Sequence, residues 1–152
     1  MQPADSDPSL GSVFAIRTPT LQFALLGLLG FLFFFIATSL GLEQTPRDGS
    51  VGVPAASYIL AVIILGWMVQ RNYPHSTIGI CNAVTLIRLT IVAILFTAVI
   101  AEPPPSMSMV ALAVFALCLD GIDGWFARKQ GLASEFGARF DVEVDAAFAL
   151  LL

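Results

Sequence analysis

The chain has 152 residues, of which 57% are hydrophobic and 12% charged, with a formal net charge of -4. Charged residues are about half as frequent as in a soluble domain, which excludes an ordinary soluble globule and points to a polytopic membrane protein. No basic block is present to bind nucleic acid, and the two cysteines lack any CxxC or Cys/His context that would mark a metal or redox motif.

Residues 1–18 open with Pro3, Asp5, Asp7 and Pro8 and read as a polar tail leading to Arg17. No short apolar segment with a small-residue cleavage site precedes the first long apolar run, so a cleaved signal peptide is not expected. Residues 20–42 carry no charge and are long enough to span as a helix. Phe31 and Phe33 to Phe35 within it are expected to face lipid. Residues 43–53 read as a loop, and residues 54–70 as a second, shorter span with Trp67 as an interfacial anchor. His75, the single histidine, falls in a short polar link and is expected at the surface rather than as a ligand.

Residues 77–101 form a third span, in which Asn82, Thr85 and Arg88 share one broad side of a helix. An arginine inside a span is costly and is expected to face a polar cavity or a partner; the alternative is that it snorkels to the interface. Glu102 and Pro103 to Pro105 break the chain before a fourth span, 106–128, which is apolar until Asp120 and then abruptly polar. A short loop, 129–136, leads to a fifth span over 137–152 that is too short to cross the hydrocarbon. Cys81 and Cys118 lie in apolar segments and are expected to be buried. The fold class is therefore all-α, a membrane helical bundle of four full spans and a partial fifth.

The chemistry concentrates between Asp120 and Asp145. On a helix, Asp120, Asp123, Gly124, Ala127 and Arg128 share one face, and Gly137, Asp141 and Asp145 share one face of the next. Two adjacent helices would each direct two carboxylates into a common space. Four ionised carboxylates near a membrane repel one another and are poorly solvated. Divalent cations relieve that conflict, since carboxylate oxygen is a preferred ligand of hard metal ions.

The pattern Asp120-x2-Asp123-Gly124-x2-Ala127-Arg128-x8-Gly137-x3-Asp141-x3-Asp145 resembles the complete signature of the CDP-alcohol phosphatidyltransferases. Asn82-x2-Thr85-x2-Arg88 also resembles the opening of that family's first core helix, a weaker signal by itself. The resemblance implies transfer of a phosphatidyl group from a CDP-linked donor such as CDP-diacylglycerol to a small alcohol acceptor, with release of CMP, in phospholipid biosynthesis. It implies a two-metal site of Mg²⁺ or Mn²⁺ held by Asp120, Asp123, Asp141 and Asp145. Asp145 is also the implied catalytic base for the acceptor hydroxyl. Gly124, Ala127, Arg128 and Gly137 would accommodate the CDP and its phosphates. Asn82, Thr85, Arg88 and Arg139 are possible substrate-binding or structural residues, Arg139 more simply a positively charged anchor.

On this reading residues 1–18 are a tail, 19–76 carry two extra helices, and 77–152 form an incomplete core, cut within its third helix. The chain alone is then expected to be inactive. Membrane lipid is an expected partner, nucleic acid is not, and a homodimer is a possible assembly. Arg17, Arg71, Arg128, Lys129 and Arg139 fall on one side of alternating spans and Arg47 on the other. The excess of positive charge predicts a multi-pass protein with its active site on the cytoplasmic face. Two other functions are compatible with part of the pattern. A small cation or proton transporter explains four acids but not the Gly124, Ala127 and Arg128 that share their face. A non-catalytic truncated form would act by binding a full-length partner.

Overall fold

In a computed structural model of the chain, the described residues are 18–40, 51–101, 106–130 and 134–151, with only the backbone described for 122–130. The polar tail, the 43–50 part of the predicted loop and the proline-rich connection at 102–105 lie outside them. The described residues form five α-helices: α1 (Thr18–Ser39), α2 (Gly52–Asn72), α3 (Ile80–Ala101), α4 (Met107–Gln130) and α5 (Glu135–Ala149). There is no strand among them. In lipid each backbone polar group must find its partner within the protein, and a helix provides that locally.

Three helices, α1, α2 and α3, are long and apolar enough to cross a membrane, and a shorter apolar stretch covers Met107–Gly121 of α4. The helix ends follow local chemistry. Pro19 and Pro54 sit in the first turns of α1 and α2, where a missing N–H costs nothing. Tyr73, at φ -78° and ψ 122°, terminates α2 because the following Pro74 disfavours helical backbone in the residue before it. Ser106 accepts a hydrogen bond from the Met109 amide (3.3 Å) at the start of α4. Ser134 caps α5 in the same way, accepting from the Gly137 amide at 3.1 Å. Lys129, expected in a loop, falls within the last turn of α4.

The third helix is the axis of the bundle: α1, α2, α4 and α5 all pack on it. Of its most apolar stretch 67% is buried, against 22% for α1 and 17% for α2. Leu25, Leu28, Leu29 and Leu32 of α1 stay exposed, as a lipid-facing surface requires. Two of the sequence expectations are corrected. Phe34 is fully buried, stacked on Tyr58 of α2 at 6.4 Å between ring centroids, while its neighbours Phe33 and Phe35 face outward. A 3.6-residue repeat turns only part of a run of aromatics toward lipid. Cys118 is exposed, on the outer face of α4, whereas Cys81 is buried.

The two N-terminal helices are fastened to the rest by polar as well as apolar contacts. Tyr58 Oη donates to the Gly27 carbonyl at 3.0 Å and lies 3.3 Å from Thr90 Oγ1 of α3. Gly27 and Gly30 permit this approach: a Cβ on Gly27 would come 2.6 Å from Val62 Cγ1, and one on Gly30 would run into Tyr58 Oη. Gln22 Oε1 accepts from the Ile78 amide at 2.8 Å, which ties α1 to the link before α3. Phe23 lies edge-on to Phe136 (6.2 Å) and Phe140 (5.9 Å) of α5, so α1 also walls the helix that carries Asp141 and Asp145.

Candidate active site

The carboxylate-bearing face of α5 follows from its apolar stripe. Phe136, Phe140, Val144 and Phe148 recur every four residues and are all buried against the core. Asp141 and Asp145 each follow a stripe residue by one position, so they sit at its edge, between core and surface. Asp120 reaches the same place from α4. One oxygen from each of Asp120, Asp141 and Asp145 lies within 4.8 Å of the other two. Their side chains are 44%, 35% and 47% exposed, so the cluster opens outward.

Beneath the cluster lies Arg88 of α3, only 2% exposed. Its Nη1 donates to Asp141 Oδ1 at 2.7 Å and is 3.0 Å from Asp120 Oδ1. Its Nη2 donates to Asp145 Oδ1. A single planar guanidinium therefore engages carboxylates from two helices while rooted in a third, a task suited to its fork of donors. Burial of this cation is compensated by charge and by hydrogen bonds at once. The side chain does not snorkel to the interface; it is the polar floor on which the acids rest.

The other predicted residues divide by location. Gly137 faces Asn82 of α3, and a Cβ there would come 2.9 Å from Asn82 Oδ1. Asn82 is buried and donates from Nδ2 to Tyr73 Oη at 3.2 Å. Thr85 is buried and returns its hydroxyl to the Cys81 carbonyl (2.9 Å), within its own helix. Arg139 is exposed and pairs with Glu135 at 2.7 Å, lining a small cavity with Met68, Asn72 and Phe136. Asp123, Gly124, Ala127 and Arg128 belong to the helical backbone of α4, but their side-chain surroundings lie outside the described residues.

Tyr73 is a residue that motif reading passes over. Its hydroxyl donates to the Thr77 carbonyl and accepts from the Gly79 amide and Asn82, each at 3.2 Å. It thereby organises the link from which α3 starts, and its ring packs on Phe136 of α5 at 5.8 Å. The one sequence signal was its position before Pro74. His75 packs edge-on against the same ring at 5.5 Å, away from the carboxylates.

The donor set fits a hard divalent cation. It is made of carboxylate oxygens alone, and Mg²⁺ or Mn²⁺ takes such ligands in preference to nitrogen or sulfur. Oxygens up to 4.8 Å apart exceed by a little the ~4.2 Å that opposite ligands span at ~2.1 Å from one Mg²⁺, so small side-chain rotations bring them into range.

Residues 78–152 match the protein-family model described as CDP-alcohol phosphatidyltransferase. The match takes in α3, α4 and α5 and leaves α1 and α2 outside it. Neither the comparison with curated proteins nor that with solved structures returns a match. The carboxylate cluster and the arginine beneath it all lie within the matched residues, so the segment that carries the site is similar to the CDP-alcohol phosphatidyltransferases, a family of transferases.

Proposed function

We propose that the chain carries the site of a membrane enzyme that transfers a phosphatidyl group from a CDP-linked donor such as CDP-diacylglycerol to a small alcohol, releasing CMP in phospholipid synthesis. The observation that carries this reading is the convergence of Asp120, Asp141 and Asp145, from two helices, on one partly open position. The likeness of residues 78–152 to the CDP-alcohol phosphatidyltransferase model supplies the reaction class.

Asp120, Asp123 and Asp141 would hold Mg²⁺ or Mn²⁺, with Asp145 contributing an oxygen. Bound there, the ions would neutralise the pyrophosphate and stabilise the departing phosphate. Asp145 would accept the proton of the acceptor hydroxyl. The acceptor oxygen forms a bond to the lipid-side phosphorus, the bond from that phosphorus to the bridging oxygen breaks, and CMP leaves with the bridging oxygen. Gly124 and Ala127 would keep their face of α4 shallow for the nucleotide, and Arg128 would offer a cation to its phosphates. Gly137 supports the site from behind by letting α5 close on Asn82.

The cytoplasmic face is the side we assign to the site. Arg71 ends α2, and Asn72 of α2 shares a cavity with Arg139 near the start of α5, which supports one positive end of the bundle. A cytosolic nucleotide donor would reach it there.

The test is CMP release from CDP-diacylglycerol by membranes containing the whole gene product, across a panel of radiolabelled alcohols. Asp145→Asn is expected to lose nearly all turnover and still bind metal. Asp123→Asn is expected to lose metal affinity as well. Unchanged CMP release in both variants would exclude the mechanism.

A further inference from the structure

We propose that Arg88 is a built-in counter-cation, which holds the carboxylate cluster together in the metal-free protein and is displaced from it when a divalent cation binds. This rests on the reading above in taking a divalent cation as the ligand of the cluster.

The observation is the coincidence of two sets of atoms. Among the described residues, the acids that could together ligate an ion are Asp120, Asp141 and Asp145. Among the described residues, Arg88 engages these same three acids, one oxygen from each. The guanidinium arrives from the buried side, at 2% exposure, and the acids open on the other. Three carboxylates so close, within a bundle of apolar helices, would push α4 and α5 apart if nothing balanced them. Arg88 supplies a positive charge and directional bonds that prevent this. It is rooted in the one helix on which all the others pack, so its base is fixed while its long stem can swing.

The same contacts obstruct a metal. A guanidinium and a divalent ion are both cations, and at contact distance in a poorly solvated site they repel strongly. An ion converging those oxygens at ~2.1 Å therefore requires Arg88 to give up at least part of its bonds. Arg88 thus trades metal affinity for stability of the metal-free bundle. A group that merely oriented the ligands would do the opposite, and its loss would weaken the ion.

The experiment measures Mn²⁺ binding by electron paramagnetic resonance and melting temperature in chelator, on the full chain in lipid nanodiscs. R88Q is expected to melt lower than the wild type in chelator, yet to bind Mn²⁺ about tenfold more tightly or better, the scale on which neighbours of metal ligands alter affinity. Mn²⁺ should raise its melting temperature more than that of the wild type. R88K, a single-point cation, should fall between the two. Mn²⁺ affinity unchanged or weakened in both variants overturns the proposal and leaves the transferase reading intact. No Mn²⁺ binding by any of the three proteins overturns both. Should R88Q not fold, the wild type supplies its own readout. The Nη resonances of Arg88, held apart by the carboxylates, are expected to shift and merge on titration with Mg²⁺. Resonances that stay unmoved in Mg²⁺ that saturates the site overturn the proposal.

Discussion

Gly137 of α5 stands so close to Asn82 of α3 that a single added carbon would come 2.9 Å from the Asn82 side-chain oxygen. Asn82 cannot turn aside freely, because its amide is bonded to Tyr73 Oη at 3.2 Å. This contact sets how near α5, and with it Asp141 and Asp145, can approach the arginine on α3.

Gly137→Ala should therefore destabilise the protein although alanine is the better helix former. Overpacking by one carbon costs about 2 kcal/mol, and the gain in propensity is about 1 kcal/mol, so a net loss of roughly 1 kcal/mol is expected. Thermal melts of the two single variants and of Gly137→Ala with Asn82→Ala form a double-mutant cycle. The cost of Gly137→Ala should shrink in the Asn82→Ala background. Equal costs in both backgrounds would show that the contact is not the source.

Phe23→Ala should loosen α5 from outside the matched segment. Phe23 is fully buried and meets both Phe136 and Phe140, the latter adjacent to Asp141. Truncating a buried phenylalanine costs about 3–5 kcal/mol. CMP release, measured below the melting temperature, is expected to fall with it although the residue touches none of the acids. Phe23→Leu should retain most of both. Full activity in Phe23→Ala would show that α1 does not position the site.

Gly30→Ala offers a test of the opposite end of the brace. A Cβ there would collide with Tyr58 Oη and come 2.6 Å from Thr90 Oγ1. The substitution should destabilise by about 1–3 kcal/mol. Tyr58→Phe should restore part of that loss and not all of it, since the Thr90 hydroxyl remains. The loss of the Tyr58 hydrogen bond to the Gly27 carbonyl costs about 1 kcal/mol in its own right.

Chelation separates folding from activity. With Arg88 balancing the acids, the protein in excess EDTA is expected to keep its helical circular dichroism while CMP release is abolished. Mg²⁺ or Mn²⁺ should restore release without a gain in helicity. Collapse of the helical signal in EDTA would show that metal, rather than the arginine, holds the bundle.

What the sequence by itself determined is what local geometry governs. Long uncharged runs become helices because lipid offers their backbone no other partner, and the five helices lie within a few residues of the predicted runs. The spacing of Asp141 and Asp145 places both on one face of α5 whatever surrounds it. The inward and outward sides of α1 were not legible in this way. Its residues are apolar all round, so no amphipathic stripe marks Phe34 for the core and Phe33 for lipid. The tertiary structure alone decided the floor of the site. Arg88 precedes Asp141 by 53 residues, and periodicity assigns a residue to a helix face without saying which neighbour that face will meet. Phe23 and the ring of Tyr73 belong to the same class. Their contacts with Phe136 and Phe140 arise from packing between segments distant in sequence, where no fixed spacing relates a residue to its partner.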